Sequence, residues 1–109
     1  MDESARQVLE LRPVVHAGRT AEPAASASED LMTRVQGGDM TAYQELVRLY
    51  QNKVYRVIRS YHRDPEDARE VVQDAFLKVF IARKTWARKT CFSAWLYRIA
   101  INASIDRYR

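Results

Sequence analysis

Phe92-Ser93-Ala94-Trp95-Leu96-Tyr97-Arg98-Ile99-Ala100-Ile101-Asn102-Ala103, running on through Asp106-Arg107-Tyr108-Arg109, is the stretch around which the chain is organised. Phe92, Leu96, Ile99, Ala100 and Ala103 recur at intervals of three and four residues. In a helix that spacing makes one buried stripe, and Ser93 is suited to cap its start. Trp95, Arg98 and Asn102 follow the same period on a second face, as an aromatic ring, a cation and an amide. A base can stack on the first, a phosphate can pair with the second, and a base edge can hydrogen-bond the third. The pattern equally fits a plainer arrangement, with Trp95 packed into the core and Arg98 solvated.

Working outward, the 109 residues allow one domain. Hydrophobic residues make up 47% and charged residues 29%, which suits a soluble globule, and 3 Gly and 3 Pro are too few for a loop-dominated protein. No apolar run approaches the roughly 18 residues needed to cross a bilayer, and no basic-then-apolar segment opens the chain. A cytoplasmic protein without membrane insertion is expected. Cys91 is the single cysteine. It cannot form an internal disulfide, and with only His16 and His62 it builds no metal cluster, so neither metal nor cofactor is expected. Its thiol reads as small and half-buried.

The formal net charge of +4 is unevenly distributed. Residues 1–27 hold 3 basic and 4 acidic side chains, residues 28–80 hold 8 and 9, and residues 81–109 hold 7 basic residues against Asp106 alone. Solvated helix faces usually mix signs. A nearly acid-free stretch interleaved with Trp86, Phe92, Trp95, Tyr97 and Tyr108 favours a nucleic-acid surface. An anionic membrane competes less well, because the same helix must bury its apolar stripe inside the domain.

Residues 1–27 carry Pro13, Gly18, Pro23 and a run of Ala and Ser, and bury too little to offset the entropy of ordering; a flexible extension is expected. Ser28 is positioned to cap a short helix from Glu29 to Gln36, ended by Gly37-Gly38. Asp39 starts a long helix from Thr41 to about Tyr61, with Tyr43, Leu46, Val47, Tyr50, Val54, Val57, Ile58 and Tyr61 inward. Asp64 as cap, Pro65 at the first helical position and Asp67 at a capping-box position start a third helix. It buries Ala68, Val72, Ala75, Phe76 and Val79. Glu70, Val71, Gln73, Asp74 and Leu77 fall outside that stripe, where polar groups around aliphatic anchors suit either a protein-docking surface or a plain solvent face. The fold class is therefore all-α, a compact bundle of three to four helices over residues 28–109.

Between the third and last helices, residues 82–91 form a basic connector with one tryptophan. There is no phosphate-cradling glycine loop and no nucleophile–base constellation, and a small all-helical domain has little volume for a catalytic pocket. An enzyme is not expected.

Three motifs in register carry a family resemblance: Gly37-Gly38-Asp39 ahead of a Tyr-containing helix, Asp67-Ala68-Arg69-Glu70-Val71-Val72-Gln73-Asp74-Ala75-Phe76, and Phe92 through Asn102. Together, from about Glu29 to Arg109, they resemble region 2 of bacterial sigma-70-family factors of the extracytoplasmic-function (ECF) group. The resemblance implies that the third helix docks on the beta-prime clamp helices of core RNA polymerase through Glu70, Val71, Gln73, Asp74 and Leu77, flanked by Asp67, with Phe76 mainly in the core. It also implies that the connector and last helix recognise and melt the promoter −10 element and hold its non-template strand. The DNA-contacting positions would be Trp86, Arg88, Lys89, Phe92, Trp95, Arg98 and Asn102, with Arg107 and Arg109 reaching phosphates.

Two features depart from the family pattern. Ala87-Arg88-Lys89-Thr90-Cys91 stands where many relatives have a glycine-containing connector, and the chain stops at Arg109, where relatives continue to a second domain, region 4, that reads the −35 element. A cut-down or minimal sigma factor is the expectation, with an anti-sigma factor as a further partner. A second hypothesis is a protein-interaction module that binds the clamp or an anti-sigma factor without capturing the strand. A third is general basic nucleic-acid binding; neutralising about 6 phosphates would then give a single-strand salt slope near −4.

Overall fold

The computed structural model describes residues 25–107, and within them the chain forms four α-helices and no strand. The expected extension lies outside the described residues up to residue 24, as does Arg109. Residues 25–27 belong to the first helix, α1, Ala25–Gln36. That helix starts one turn before the expected cap. Ser28 instead sits within it, buried, with its hydroxyl 2.7 Å from the Tyr50 hydroxyl. A buried hydroxyl needs a partner, and Tyr50 supplies one that an N-cap position at the surface would not. Gly37-Gly38 ends α1 as expected: Gly38 has φ 93°, and its N–H donates to the Val35 carbonyl at 2.9 Å.

Asp39 caps α2, Met40–Arg59, by accepting from the Thr41 and Ala42 N–H groups. The Ala42 N–H, with Arg34 beside it, holds the Asp39 carboxyl below its ordinary range. This helix is the centre of the bundle, packing against α1, α3 and α4. Two of its tyrosines make the ties: the Tyr43 hydroxyl donates to the Phe76 carbonyl at 2.6 Å with its ring edge-on to Phe80, and Tyr50 meets Phe92 edge-on at 5.5 Å. Tyr61, expected inward, is exposed, because α2 has ended at Arg59 and the helical period no longer aims it at the core; Val57 is only half-buried.

Helix α3, Pro65–Ile81, begins as its sequence directs, with Asp64 accepting from the Glu66 N–H at 2.9 Å and Pro65 in the first turn. All five expected core positions are buried. Val71 and Phe80 are buried as well, since α3 packs against α2 and α4 and its inward stripe is correspondingly wide. A short 3₁₀ turn, Arg83–Thr85, opens the connector. The last helix, α4, Phe92–Arg107, starts one residue before the expected cap. The Trp95 N–H donates to the Cys91 carbonyl, so Cys91 occupies the cap position and Ser93 lies in the first turn, 3.3 Å from the Cys91 sulfur. Phe92, Leu96, Ala100 and Ala103 are buried and Ile99 half-buried, so the stripe stands.

Candidate docking and nucleic-acid faces

On α3, Glu70 and Asp74 are exposed and Gln73 and Leu77 half-buried, so these four present a mixed polar and aliphatic surface. Val71 does not join it. At 1% exposure it lies three residues after Ala68 and four before Ala75, on the buried stripe, and its side chain has nothing to offer a partner. Asp67 is half-exposed but does not close a capping box. Its carboxylate accepts from Arg107 at 3.0 Å.

Arg107, expected to reach a phosphate, bridges Asp67 and Glu70, the second at 2.6 Å, and Lys78 and Asp106 pair beside it at 3.4 Å. The bond to Asp67, then the Glu70 charge, raises the Arg107 pKa. The C-terminal end of α4 thus lies along the acidic side of α3, and the two candidate faces meet there. Sequence separation of 40 residues between Arg107 and Asp67 left no local signal for this.

Along the rest of α4, Arg98 and Asn102 are exposed, and Trp95 is half-buried, its ring tilted 43° against Phe92 at 6.1 Å. Trp95 therefore packs against the core while remaining partly exposed. Phe92 and Trp86 were expected among the DNA-contacting residues, and both are buried, at 2% and 4% exposure, edge-on to each other at 6.3 Å. Trp86 is the one large apolar side chain in a connector otherwise made of small and charged residues, and turning it inward removes more apolar area from water than any other choice there. Its indole N–H donates to the Thr90 carbonyl at 3.0 Å. Neither ring offers a face on which a base could stack in this conformation; both support the surface from beneath.

Lys89 is exposed. Arg88 is exposed too, but it forms an ion pair with Asp30 and donates to the Thr33 hydroxyl at 3.1 Å, binding the connector to α1. Asp30 raises the Arg88 pKa. Gln36 was not singled out by the sequence. From the last turn of α1 its side-chain amide donates to the Arg83 carbonyl at 2.9 Å and to the Trp86 carbonyl at 2.6 Å. Arg83 in turn lies over the Phe80 ring at 4.3 Å. Cys91, read as half-buried, is exposed, and the Ser93 hydroxyl with the Ala94 N–H lowers its thiol pKa. Among the described residues no group of three His, Cys, Asp or Glu side chains could hold a metal ion, and no helix is long and apolar enough to cross a membrane.

The Sigma-70 region 2 family matches residues 46–109, more than half of the chain. The chain belongs to this family. Within it, the chain is 40% identical over 76 residues to the RNA polymerase sigma-H factor of Pseudomonas aeruginosa, a match covering 70% of this chain and 39% of that protein. The ECF RNA polymerase sigma factor SigW of Bacillus subtilis is 33% identical over 76 residues, covering 70% and 41%, and the ECF sigma-E factor of Escherichia coli 40% identical over 74 residues, covering 68% and 38%. This sequence thus reads as an ECF region 2 domain and spans about two fifths of the length of these curated relatives. An NMR structure of an engineered region 2 of sigmaE in complex with GTAAAA superposes with a TM-score of 0.71 at 38% identity, covering 74% of this chain and 84% of that one. The family match starts at Leu46, inside α2, so α1 and the start of α2 precede the matched segment while α3, the connector and α4 lie within it.

Proposed function

We propose that this region 2 domain serves an alternative sigma factor, docking on core RNA polymerase through α3 and recognising the promoter −10 element through α4 and the connector. The observation that carries the reading is that one small domain presents two solvent-accessible groups of opposite character: Glu70, Gln73, Asp74 and Leu77 on α3, and Trp95, Arg98 and Asn102 with Lys89 on α4 and the connector. The solved relative that holds GTAAAA supports assigning the second surface to a single strand.

The chemistry follows from the groups present. Acids and an amide around a half-buried leucine complement a cationic protein groove, the beta-prime clamp helices in this reading, with the aliphatic part excluding water. On α4, the outward part of Trp95 is a stacking surface, Asn102 reaches a base edge, and Arg98 and Lys89 neutralise backbone phosphate. Stacking contributes about 1 to 3 kcal/mol per base, which offsets the few kcal/mol needed to unstack and flip one. Strand opening is an exchange of base–base for base–protein contacts; no covalent bond is made or broken, and the domain acts in the cytoplasm with the polymerase.

A second reading has an observation in its favour. Arg88 and Arg107 are engaged by acids of the same chain, which leaves fewer cations for phosphate than the sequence suggested. A module that binds the clamp or an anti-sigma factor without holding the strand accords with that. Two fluorescence-anisotropy titrations separate the readings. Binding to purified core polymerase should be lost on Gln73→Ala/Asp74→Ala, and binding to a labelled single-stranded GTAAAA hexamer should be lost on Trp95→Ala/Asn102→Ala. Polymerase binding without hexamer binding selects the interaction module, and a folded protein that binds no polymerase overturns the first reading and the clamp-binding form of the second.

A further inference from the structure

The connector between α3 and α4 contains no glycine, and its shape is imposed largely from outside. The Gln36 side-chain amide donates to the carbonyls of Arg83 at 2.9 Å and Trp86 at 2.6 Å, one at the start of the 3₁₀ turn and the other just beyond its end. Both bonds come from one NH₂ group, so its two hydrogens are both committed to this turn. Gln36 is the last residue of α1, and the Gly37-Gly38 stop, with Gly38 at φ 93°, fixes where that amide stands. Further along, Arg88 is held by Asp30 and Thr33, again from α1. Within the connector the Trp86 indole N–H donates to the Thr90 carbonyl, and the Thr90 N–H to the Ala87 carbonyl at 2.8 Å.

The geometry points to Gln36 as a positioning residue: through the Arg83 and Trp86 carbonyls, α1 sets the conformation of the connector and thereby the base preference of the strand-binding face. This rests on the reading that the connector borders the bound strand. The physical reason is that discrimination between bases depends on donors and acceptors held within a fraction of an ångström, whereas charge attraction to phosphate does not. Gln36 lies in α1, outside the segment matched by the family, and contacts neither α3's outward face nor Arg98 and Asn102 in any bond described above. Its effect on the strand is therefore transmitted through the connector. Trp86, held at both its backbone carbonyl and its indole N–H, passes the placement on to Phe92 at the start of α4.

The test is a substitution series read as a ratio of affinities. Gln36→Met keeps the side chain's length and loses the donors; Gln36→Glu loses the donors and sets a carboxylate against the two carbonyls; Gln36→Lys restores a donor within reach. Each variant is titrated with labelled single-stranded GTAAAA and with hexamers changed at one base, and with core polymerase in parallel. Wild type should prefer GTAAAA, and that preference should fall by about fivefold in Gln36→Met, the scale of one misplaced hydrogen bond between the connector and a base edge. It should fall further in Gln36→Glu and be largely retained in Gln36→Lys, with polymerase docking the same in all. The Trp86 indole N–H resonance, one of two such signals in this two-tryptophan chain, should shift in the Met variant. An unchanged preference in Met and Glu, or one lost equally in Lys, overturns the role of Gln36 while leaving the proposed function standing. If Gln36→Met fails to fold, the Lys-to-Glu comparison decides by the same criterion. A wild-type protein that binds all hexamers equally overturns both.

Discussion

Replacing Tyr43 by Phe isolates a single bond at the centre of the bundle and has a consequence that fades as pH rises. The Tyr43 ring is fully buried, edge-on to Phe80 at 5.2 Å, and its hydroxyl donates to the Phe76 carbonyl at 2.6 Å, tying α2 to the helix whose outer side is the proposed docking face. Phenylalanine keeps the ring and its packing and removes only the hydroxyl. The Phe76 carbonyl lies mid-helix and retains its helical partner, so no acceptor is stranded. The cost near neutral pH is then that of one net hydrogen bond, about 1 kcal/mol.

Burial pushes the Tyr43 pKa far above its ordinary value. A group whose folded pKa is raised contributes stability that is intact below the unfolded pKa, about 10 for tyrosine, and is lost above it, because only the unfolded chain can release the proton. Each further pH unit removes about 1.4 kcal/mol, so by about pH 11 the wild type has lost roughly the advantage that its hydroxyl conferred at neutrality. Urea titrations of both proteins, followed by helical circular dichroism from neutral to about pH 11, provide the difference in unfolding free energy. All other titrations are common to the pair and cancel. The expected difference is about 1 kcal/mol at neutral pH, closing to about zero near pH 11. A difference that stays flat with pH would mean that Tyr43 is not buried in the neutral form, and one above about 3 kcal/mol at neutrality would mean that its hydroxyl organises more than the bond to Phe76.

Two further outcomes are expected. Arg107→Gln should tighten docking on core polymerase by about two- to threefold, the scale of an exposed ion pair that docking must otherwise displace, and leave hexamer affinity unchanged; weaker hexamer binding with unaltered docking would return Arg107 to the phosphate contacts. Cys91, exposed and with its thiol pKa lowered by the Ser93 hydroxyl and the Ala94 N–H, should be alkylated faster than free cysteine near neutral pH, with a pH–rate midpoint below the ordinary thiol value of about 8.5. Ser93→Ala should move that midpoint upward, and mass spectrometry of the single labelled site measures it; a midpoint indifferent to the substitution would show that the Ser93 hydroxyl does not stabilise the thiolate.

Much of the fold was legible because it is written in local chemistry. The Gly37-Gly38-Asp39 stop and restart, the Asp64-Pro65 start of α3 and the stripes along α3 and α4 each depend on residues within one or two helical turns of one another. The errors fell where a local preference competed with a distant partner. Ser28 is a good cap by type, but its hydroxyl meets Tyr50, 22 residues away. Val71 is the exception, since it stands at helical spacing from Ala68 and Ala75 and its burial was legible locally. Trp86 sits in a charged connector that looks exposed, yet its ring fills the space beside Phe92.

The same division holds for the candidate site. By itself the sequence determined an all-helical domain, the acidic character of the outer side of α3, the basic and aromatic character of the last quarter, and the grouping of Trp95, Arg98 and Asn102, because helical period alone brings those three together. Only the tertiary structure decided how those groups are engaged. It set Arg107 across Asp67 and Glu70, Arg88 against Asp30, and Gln36 beneath the connector, over separations of 37 to 58 residues along the chain. A charge or an amide advertises what it can bond to but not which partner the packing will bring within 3 Å, and packing is a property of the whole buried surface rather than of any one segment.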